Sequence, residues 1–166
     1  MKNTIKVFVL VALTLAAMSV SAQVKLGHIE TQKLIQAMPE WTAAQKTFEE
    51  EQKKVNTELN SLREQFQTKL AEYSEKMKTY SEAMRATTEE ELQGLQQRIQ
   101  RFQETAMAQL EKTQNDLMQP VMEKALNAIK EVGKENGFTY IFDMNAGILY
   151  AAENSQDVLP LVKKKL

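Results

Sequence analysis

The residues that could perform chemistry in this chain are few, and their spacing builds no recognisable site. His28 is the single histidine and the sequence contains no cysteine, so a metal centre or an activated nucleophile would depend on one imidazole. No spaced set of acidic residues accompanies His28, and no glycine-rich phosphate loop occurs. The pattern predicts a protein that is not an enzyme and holds no cofactor and no metal. His28 is interpreted as a strand residue, and a peptidase or hydrolase is the weakest alternative.

The first 22 residues have the order of a secretory signal peptide. Two lysines form a positive n-region, residues 7–18 (VFVLVALTLAAM) form an apolar h-region, and VSA at 20–22 is a small-residue cleavage site. We expect cleavage between Ala22 and Gln23. The apolar run is short for a membrane span, and an uncleaved N-terminal anchor is the alternative.

Charge and composition describe the chain after this cleavage. Removing two lysines from 21 basic residues leaves 19 against 22 acidic residues, a net charge of −3. This balance excludes a typical nucleic-acid-binding protein and a highly charged disordered tail. Between Glu40 and Gln119 there is no proline, and Gly94 is the only glycine. Such a segment is typical of long helices.

A narrow apolar stripe indicates how these helices pack. Apolar residues recur every three or four positions from Val55 to Met84, and a second stripe runs from Leu92 to Val132. Thr88 followed by Glu91 forms a capping box, which predicts a fold-back at 86–89. The prediction is a mainly α protein with an antiparallel helical hairpin over residues 39–119. Each arm would be about 45 residues and roughly 65–70 Å long, and nearly straight because the period is close to 3.6.

The flanking segments predict a small β-containing body that joins several copies. Residues 24–30 read as a strand, and 138–143 with 148–153 read as a β-hairpin. Asp157 is expected to cap a closing helix with Pro160 in its first turn. From Leu117 onward the second arm is apolar on two sides, and a small isolated sheet is not stable alone.

We therefore expect an oligomer assembled through residues 23–38 and 120–166, from which the hairpin projects. The candidate body residues are Leu26, Met118, Met122, Leu126, Ile129, Phe138, Tyr140, Phe142, Ile148 and Tyr150. Pro120 is expected to kink the second arm and is a candidate hinge.

The order of these segments resembles the Skp (OmpH) family of periplasmic chaperones for outer-membrane proteins. The resemblance rests on the signal peptide, GHIETQKLIQAMPEW at 27–41, two long helices, and KENGFTYIFDMNAGILYAAENSQDVLPLVKKKL at 134–166. It implies a trimer with a small β-barrel body and three hairpins around a cavity. That cavity would hold an unfolded outer-membrane β-barrel protein in the periplasm without ATP.

Under this resemblance, the client is expected to meet apolar residues near the hairpin tip through many weak contacts. The candidates are Tyr73, Met77, Tyr80, Met84, Leu92 and Leu95. Residues 74–92 carry three basic and five acidic side chains, so contact with anionic membrane or lipopolysaccharide is not carried over from the family. The alternative function is a periplasmic structural or adaptor protein that uses the hairpin as a rigid docking arm.

Overall fold

The computed structural model describes residues 24–166; the predicted signal peptide and its cleavage site at Ala22 and Gln23 lie outside the described residues. The elements in chain order are strand β1 (Leu26–Ile29), helices α1 (Thr31–Gln36), α2 (Pro39–Lys76) and α3 (Glu82–Glu135), strands β2 (Tyr140–Asp143) and β3 (Gln156–Asp157), and helix α4 (Leu159–Lys163). Within residues 24–166, no helix is both long and apolar enough to cross a membrane.

The chain divides into two compact units. The helical unit comprises residues 31–128 together with Leu166, and the sheet unit comprises residues 24–30 and 129–165. The predicted division lay at 38/39 and 119/120, whereas the observed one lies at 30/31 and 128/129. The mainly α prediction with a small β component is confirmed.

The break between the long helices lies at residues 77–81, so the predicted break at 86–89 is wrong. Ser81 precedes α3, and its hydroxyl oxygen accepts a hydrogen bond from the Met84 backbone N–H at 3.3 Å, as an N-cap side chain does. Thr88 lies inside α3, where its hydroxyl donates to the Met84 carbonyl at 2.8 Å. A helical threonine can satisfy its hydroxyl in this way, so the Thr–Glu pattern did not require a helix start.

Contacts between α2 and α3 also replace the predicted residue pairing. Tyr73 bonds to Glu89, Lys69 pairs with Glu91, and Lys124 Nζ donates to Glu40 Oε1 at 2.5 Å. The midpoints of these pairs fall at residues 81, 80 and 82, whereas the predicted pairing was centred on residue 88. The predicted pairs, such as Tyr73 with Phe102, are therefore wrong.

The error has a simple geometric cause. Moving the fold-back point by seven residues shifts the register between the helices by 14 residues, close to four turns of 3.6 residues. Apolar positions keep their phase under that shift, so either register brings one stripe against the other. The helical unit buries Leu62, Leu92, Ala106, Val121 and Ala125, all of them stripe residues or their direct neighbours.

The sheet unit contains a three-stranded sheet in the order β2-β1-β3, and central strand β1 pairs in parallel with each neighbour. Leu26 lies opposite Tyr140 and His28 opposite Phe142 on one side, and His28 lies opposite Asp157 on the other. The predicted strand at 24–30 is confirmed by β1. The interior of this unit contains Ile29, Val132, Val158 and Val162.

Close packing around Gly27 explains why this position is a glycine. A Cβ atom at this position would lie 2.9 Å from Phe138 Cε1 and 3.0 Å from Val158 Cγ1. The Gly27 backbone and the Phe138 ring lie closer together than a side chain at position 27 would allow. The glycine therefore lets β1 lie against the residues that flank β2 and β3.

The predicted β-hairpin of residues 138–143 and 148–153 is wrong. Residues 140–143 form β2, but they pair parallel with β1, and residues 148–153 form no strand. Asp143 instead turns the chain, since its Oδ1 accepts the Asn145 N–H at 3.0 Å. Strand propensity depends on neighbours to pair and pack with, and in this chain Leu149 is 99% exposed and Tyr150 80% exposed.

The closing helix agrees more closely with its prediction. Helix α4 begins at Leu159, whose backbone N–H donates to Asp157 Oδ1 at 2.9 Å, and Pro160 lies in the first turn. Helix α3 continues through Pro120 without a break. The kink and the hinge at Pro120 remain predictions.

Candidate functional site

The predicted client contacts lie on both sides of the helix break. Two of them are tyrosines that make contacts at the ends of the long helices. The rings of Tyr73 and Tyr80 are 6.4 Å apart between centroids and tilted by 47°. The Tyr73 hydroxyl donates a hydrogen bond to Glu89, and this bond, with a contribution from burial, raises the pKa of Tyr73. The Tyr80 backbone N–H donates to the Lys76 carbonyl at 3.1 Å. Both half-buried tyrosines thus fix local structure.

The other tip candidates differ in what they present to solvent. Met77 and Met84 are exposed, and Leu95 is half-buried. Leu92 is buried in the helical unit and presents almost no surface. Among these candidates, the exposed apolar surface near the break is therefore mainly that of Met77 and Met84. Their flexible thioether side chains adapt readily to different partners.

One flank of the helical unit is a charged groove. It is lined by Ser61, Glu64, Gln65, Thr68, Lys69 and Glu72 from α2, and by Glu91, Gly94, Leu95 and Arg98 from α3. Lys69 pairs with Glu91 across this groove. Lys76 pairs with Glu72 at 2.7 Å, and this hydrogen bond lowers the pKa of Glu72 and raises that of Lys76. These exposed pairs neutralise one another locally and stabilise the fold only weakly.

A small apolar cleft in the helical unit was not predicted as a feature. Its volume is about 50 Å³, and it is lined by Trp41, Ala44, Gln45, Phe48, Gln114, Leu117 and Met118. The sequence signal was present, since the second arm becomes apolar on two sides at Leu117. That signal was assigned to the oligomer body, and the contribution of Trp41 and Phe48 became visible only from the helix register.

The predicted body residues include a continuous apolar surface on the sheet unit. Leu26, Tyr140 and Phe142 are exposed, and their register on β1 and β2 places them on one face of the sheet. The Tyr140 and Phe142 rings stack with centroids 6.0 Å apart.

The remaining body candidates are distributed over both units. In the sheet unit Tyr150 is exposed, whereas Ile129, Phe138 and Ile148 are half-buried. Phe138 contacts its own chain, with the Lys25 ammonium 4.3 Å from its ring centroid. In the helical unit Met122 and Leu126 are exposed and Met118 is half-buried.

His28 lies in β1, as the sequence suggested, and has one side-chain partner that sequence reasoning missed. Its Nδ1 lies 2.8 Å from Ser155 Oγ, and the imidazole tautomer decides which group donates. Within residues 24–166, no group of three histidine, cysteine or acidic side chains could hold a metal ion. The His28–Ser155 bond joins β1 to the residues before β3.

The described residues thus combine two long helices with a small parallel sheet, and both units expose large apolar side chains. The family "Outer membrane protein (OmpH-like)" matches residues 25–166, and this chain belongs to that family. The resemblance to Skp and OmpH proteins seen in the sequence is thereby confirmed.

Comparison with solved structures supports the same fold. The chain is similar to a protein from Caulobacter crescentus CB15 that is described as a candidate outer membrane chaperone (OmpH-like), with a TM-score of 0.75 and 15% sequence identity. The similarity covers 87% of each chain. Among curated proteins, none matches this sequence.

Proposed function

We propose that this protein is an ATP-independent holdase chaperone, which encloses unfolded outer-membrane β-barrel proteins in the periplasm and prevents their aggregation. The observation that carries the proposal is membership of the OmpH-like family over residues 25–166. The fold shared with a protein described as a candidate outer membrane chaperone supports it. Export would follow from the signal peptide predicted for residues 1–22.

The holding device in this proposal is an antiparallel helical hairpin made of α2 and α3. Its support is the set of three side-chain pairs centred on residues 80–82, close to the helix break at 77–81. Helix α2 has 38 residues, so this arm would extend roughly 57 Å at 1.5 Å per residue. An arm of that length reaches far along an unfolded chain.

Assembly into a trimer through the sheet unit is the second part of the proposal. Leu26, Tyr140 and Phe142 form an exposed apolar face, and Leu149 and Tyr150 are almost fully exposed. Large apolar side chains clustered in this way are typical of surfaces that a partner covers. Closed symmetric assembly would cover the same face in every copy.

Client binding would rely on many weak contacts made inside the enclosure. Most apolar residues of the helical stripes are used to pack α2 against α3, and Met77 and Met84 remain as the exposed apolar residues nearest the break. Few strong contacts are available per helix turn. Three hairpins around one client would raise the effective concentration of each contact and sum their effects.

The test is sedimentation of the protein purified after export, alone and after mixing with a urea-unfolded outer-membrane porin. We expect a trimer that gains the mass of one porin and keeps it soluble. A trimer that leaves the porin to aggregate would favour the rigid docking arm. A stable monomer would contradict the proposed assembly, because the apolar face of the sheet would have nothing to cover it.

A further inference from the structure

The two flanks of the helical unit differ in chemistry, and this difference is not explained by packing. On α3, spacings of three, four and seven residues place one line of side chains on the same side of the helix. This line contains Gln93, Gln96, Gln100, Gln103, Met107 and Gln114. Glu104 and Glu111 lie on the same side by the same spacings. Met107 is 73% exposed.

Helix α2 carries a second line of the same kind. Its members, at spacings of seven, four and three residues, include Gln45, Gln52, Asn56, Gln67, Leu70 and Met77. Glu49 and Arg63 are the charges that fall on this described line between residues 45 and 77. Leu70 and Met77 are both exposed.

The two lines lie on the same flank of the unit. Gln45 of the α2 line and Gln114 of the α3 line both line the small apolar cleft that contains Trp41. Neither line contributes a residue to the charged groove on the opposite flank, which contains Glu64, Lys69 and Arg98. We call the surface formed by the two lines the amide face.

In the part of the chain that the structure describes, some glutamines outside the amide face bond within the chain, whereas others, such as Gln97, do not. Gln65 Nε2 donates to Ser61 Oγ at 3.3 Å and Gln109 Nε2 donates to Thr113 Oγ1 at 3.4 Å. Gln119 Nε2 donates to Glu123 at 2.9 Å. Among the described residues, the side-chain amides of the amide face make no such intramolecular bonds. They keep their donors and acceptors for water or for a partner.

We infer that the amide face binds the backbone of an extended, unfolded polypeptide, an assignment that rests on the proposed holdase function. A carboxamide presents both a donor and an acceptor, which complement the unpaired N–H and C=O groups that every unfolded chain exposes. The nine carboxamides of the face outnumber the four charged side chains that lie among them. The methionines and the Trp41 cleft add adaptable apolar contacts beside the amides.

This mode of recognition suits many weak contacts. Each amide that leaves water for a client backbone exchanges one set of hydrogen bonds for another, so the net gain per contact is small. Affinity then comes from the number of amides along both helices. Because backbone groups are the same in every protein, binding would depend little on client sequence.

The test uses two triple variants with the same chemical change on different flanks. In the first, Gln96→Glu, Gln100→Glu and Gln103→Glu remove three carboxamide donors from the amide face. In the matched control, Gln65→Glu, Gln109→Glu and Gln119→Glu change glutamines outside it. Binding of a fluorescent, urea-unfolded porin is titrated with each full-length protein after export.

We expect the first variant to weaken porin binding about tenfold, because several donors are lost together. The control variant should change binding less than about twofold. The loss should persist at about 0.5 M salt, where exposed charges are strongly screened. Equal affinity of the two variants, or a loss that high salt restores, would overturn the inference.

Two further readouts separate this inference from the proposed function. If the unsubstituted protein fails to keep the porin soluble, the holdase proposal fails and the inference falls with it. If the unsubstituted protein and the amide-face variant hold the porin equally well, only the inference fails. A changed mass of the client-free assembly in the first variant would make the amide face an interface between copies, and would also overturn it.

Discussion

The helical unit and the sheet unit treat their large apolar side chains differently. The helical unit leaves most of its stripe residues half-buried between the two long helices, and Leu62 is only 1% exposed. The sheet unit has a small buried core, but its Tyr140 is 61% exposed. The core contains Ile29, Val132, Val158 and Val162. A long helix can bury its stripe against one other helix, whereas a three-stranded sheet has two faces and covers only one.

Under the proposed assembly, this difference would make the two units depend on a partner to different degrees. The two long helices cover much of one another's stripes, while one face of the sheet leaves Leu26, Tyr140 and Phe142 exposed. Substitutions on the exposed face of the sheet should therefore act on the proposed assembly, and substitutions in the interior of the sheet unit should act on folding. Substitutions in the helical unit should act on folding or on client binding.

The largest expected effect follows from placing charges on the exposed face of the sheet. Tyr140→Asp combined with Phe142→Asp should abolish assembly, with a loss of at least about 3 kcal/mol for two buried aromatic contacts. Sedimentation should then give a monomer. Met107→Asp, at a more exposed position of the helical unit, should assemble normally. A trimer in the double variant would show that the sheet face is not the interface.

Truncation of the helical interior should produce the next largest effect. Leu62→Ala should lower the free energy of unfolding by about 2–5 kcal/mol, because a cavity forms where a large side chain was fully enclosed. Leu70→Ala, at an exposed position of the same helix, should cost much less. Urea unfolding followed by circular dichroism at 222 nm measures both, and equal costs would contradict the packing described for α2.

Two glycine substitutions should have opposite signs. Gly27→Ala should destabilise the sheet unit by about 1–3 kcal/mol, because the new methyl group meets Phe138 and Val158. Gly94→Ala should stabilise the helical unit by up to about 1 kcal/mol, since open space surrounds this helical position. Thermal unfolding of the two variants measures both changes in stability. A shift of the same sign in both would remove the packing explanation.

The smallest expected effect is a change in acid stability from the Lys124–Glu40 pair. The hydrogen bond from Lys124 lowers the pKa of Glu40 below its usual value. The pair therefore contributes stability above the pKa of the unfolded carboxyl, and this contribution is lost as the pH falls through the lower folded pKa. In the Lys124→Met variant, the free energy of unfolding should therefore decrease slightly less as the pH is lowered.

Lys112→Met provides the matched control for this measurement, since no ion pair involves Lys112 among the described residues. Its stability profile between about pH 3 and pH 6 should follow that of the unsubstituted protein. Both variants lose one positive charge, so a difference between them reports the specific pair. Identical profiles for the two variants would contradict a stabilising role of the Lys124–Glu40 contact.

Helix content and the strand β1 could be predicted because both depend on local pattern. Apolar residues at a period near 3.6, with almost no glycine or proline, favour helix over any alternative. The tolerated Pro160 was also local and was predicted correctly, whereas the N-cap residue is Val158, one position after the predicted Asp157. Asp157 still accepts the Leu159 backbone N–H. Membership of the OmpH-like family followed from the order of segments, which a sequence displays directly.

The break at residues 77–81 and the partners of each strand could not be predicted in the same way. A stripe with a regular period fits its neighbour equally well after a shift of four turns, so the register depended on contacts such as Tyr73 with Glu89. Residues 148–153 have strand propensity but no neighbour to pair with in this chain. The sequence alone determined which residues are apolar and at what period they recur, because both depend only on the order of side chains. The tertiary structure decided which of them are buried and which are in contact, because several registers and pairings satisfy the same pattern.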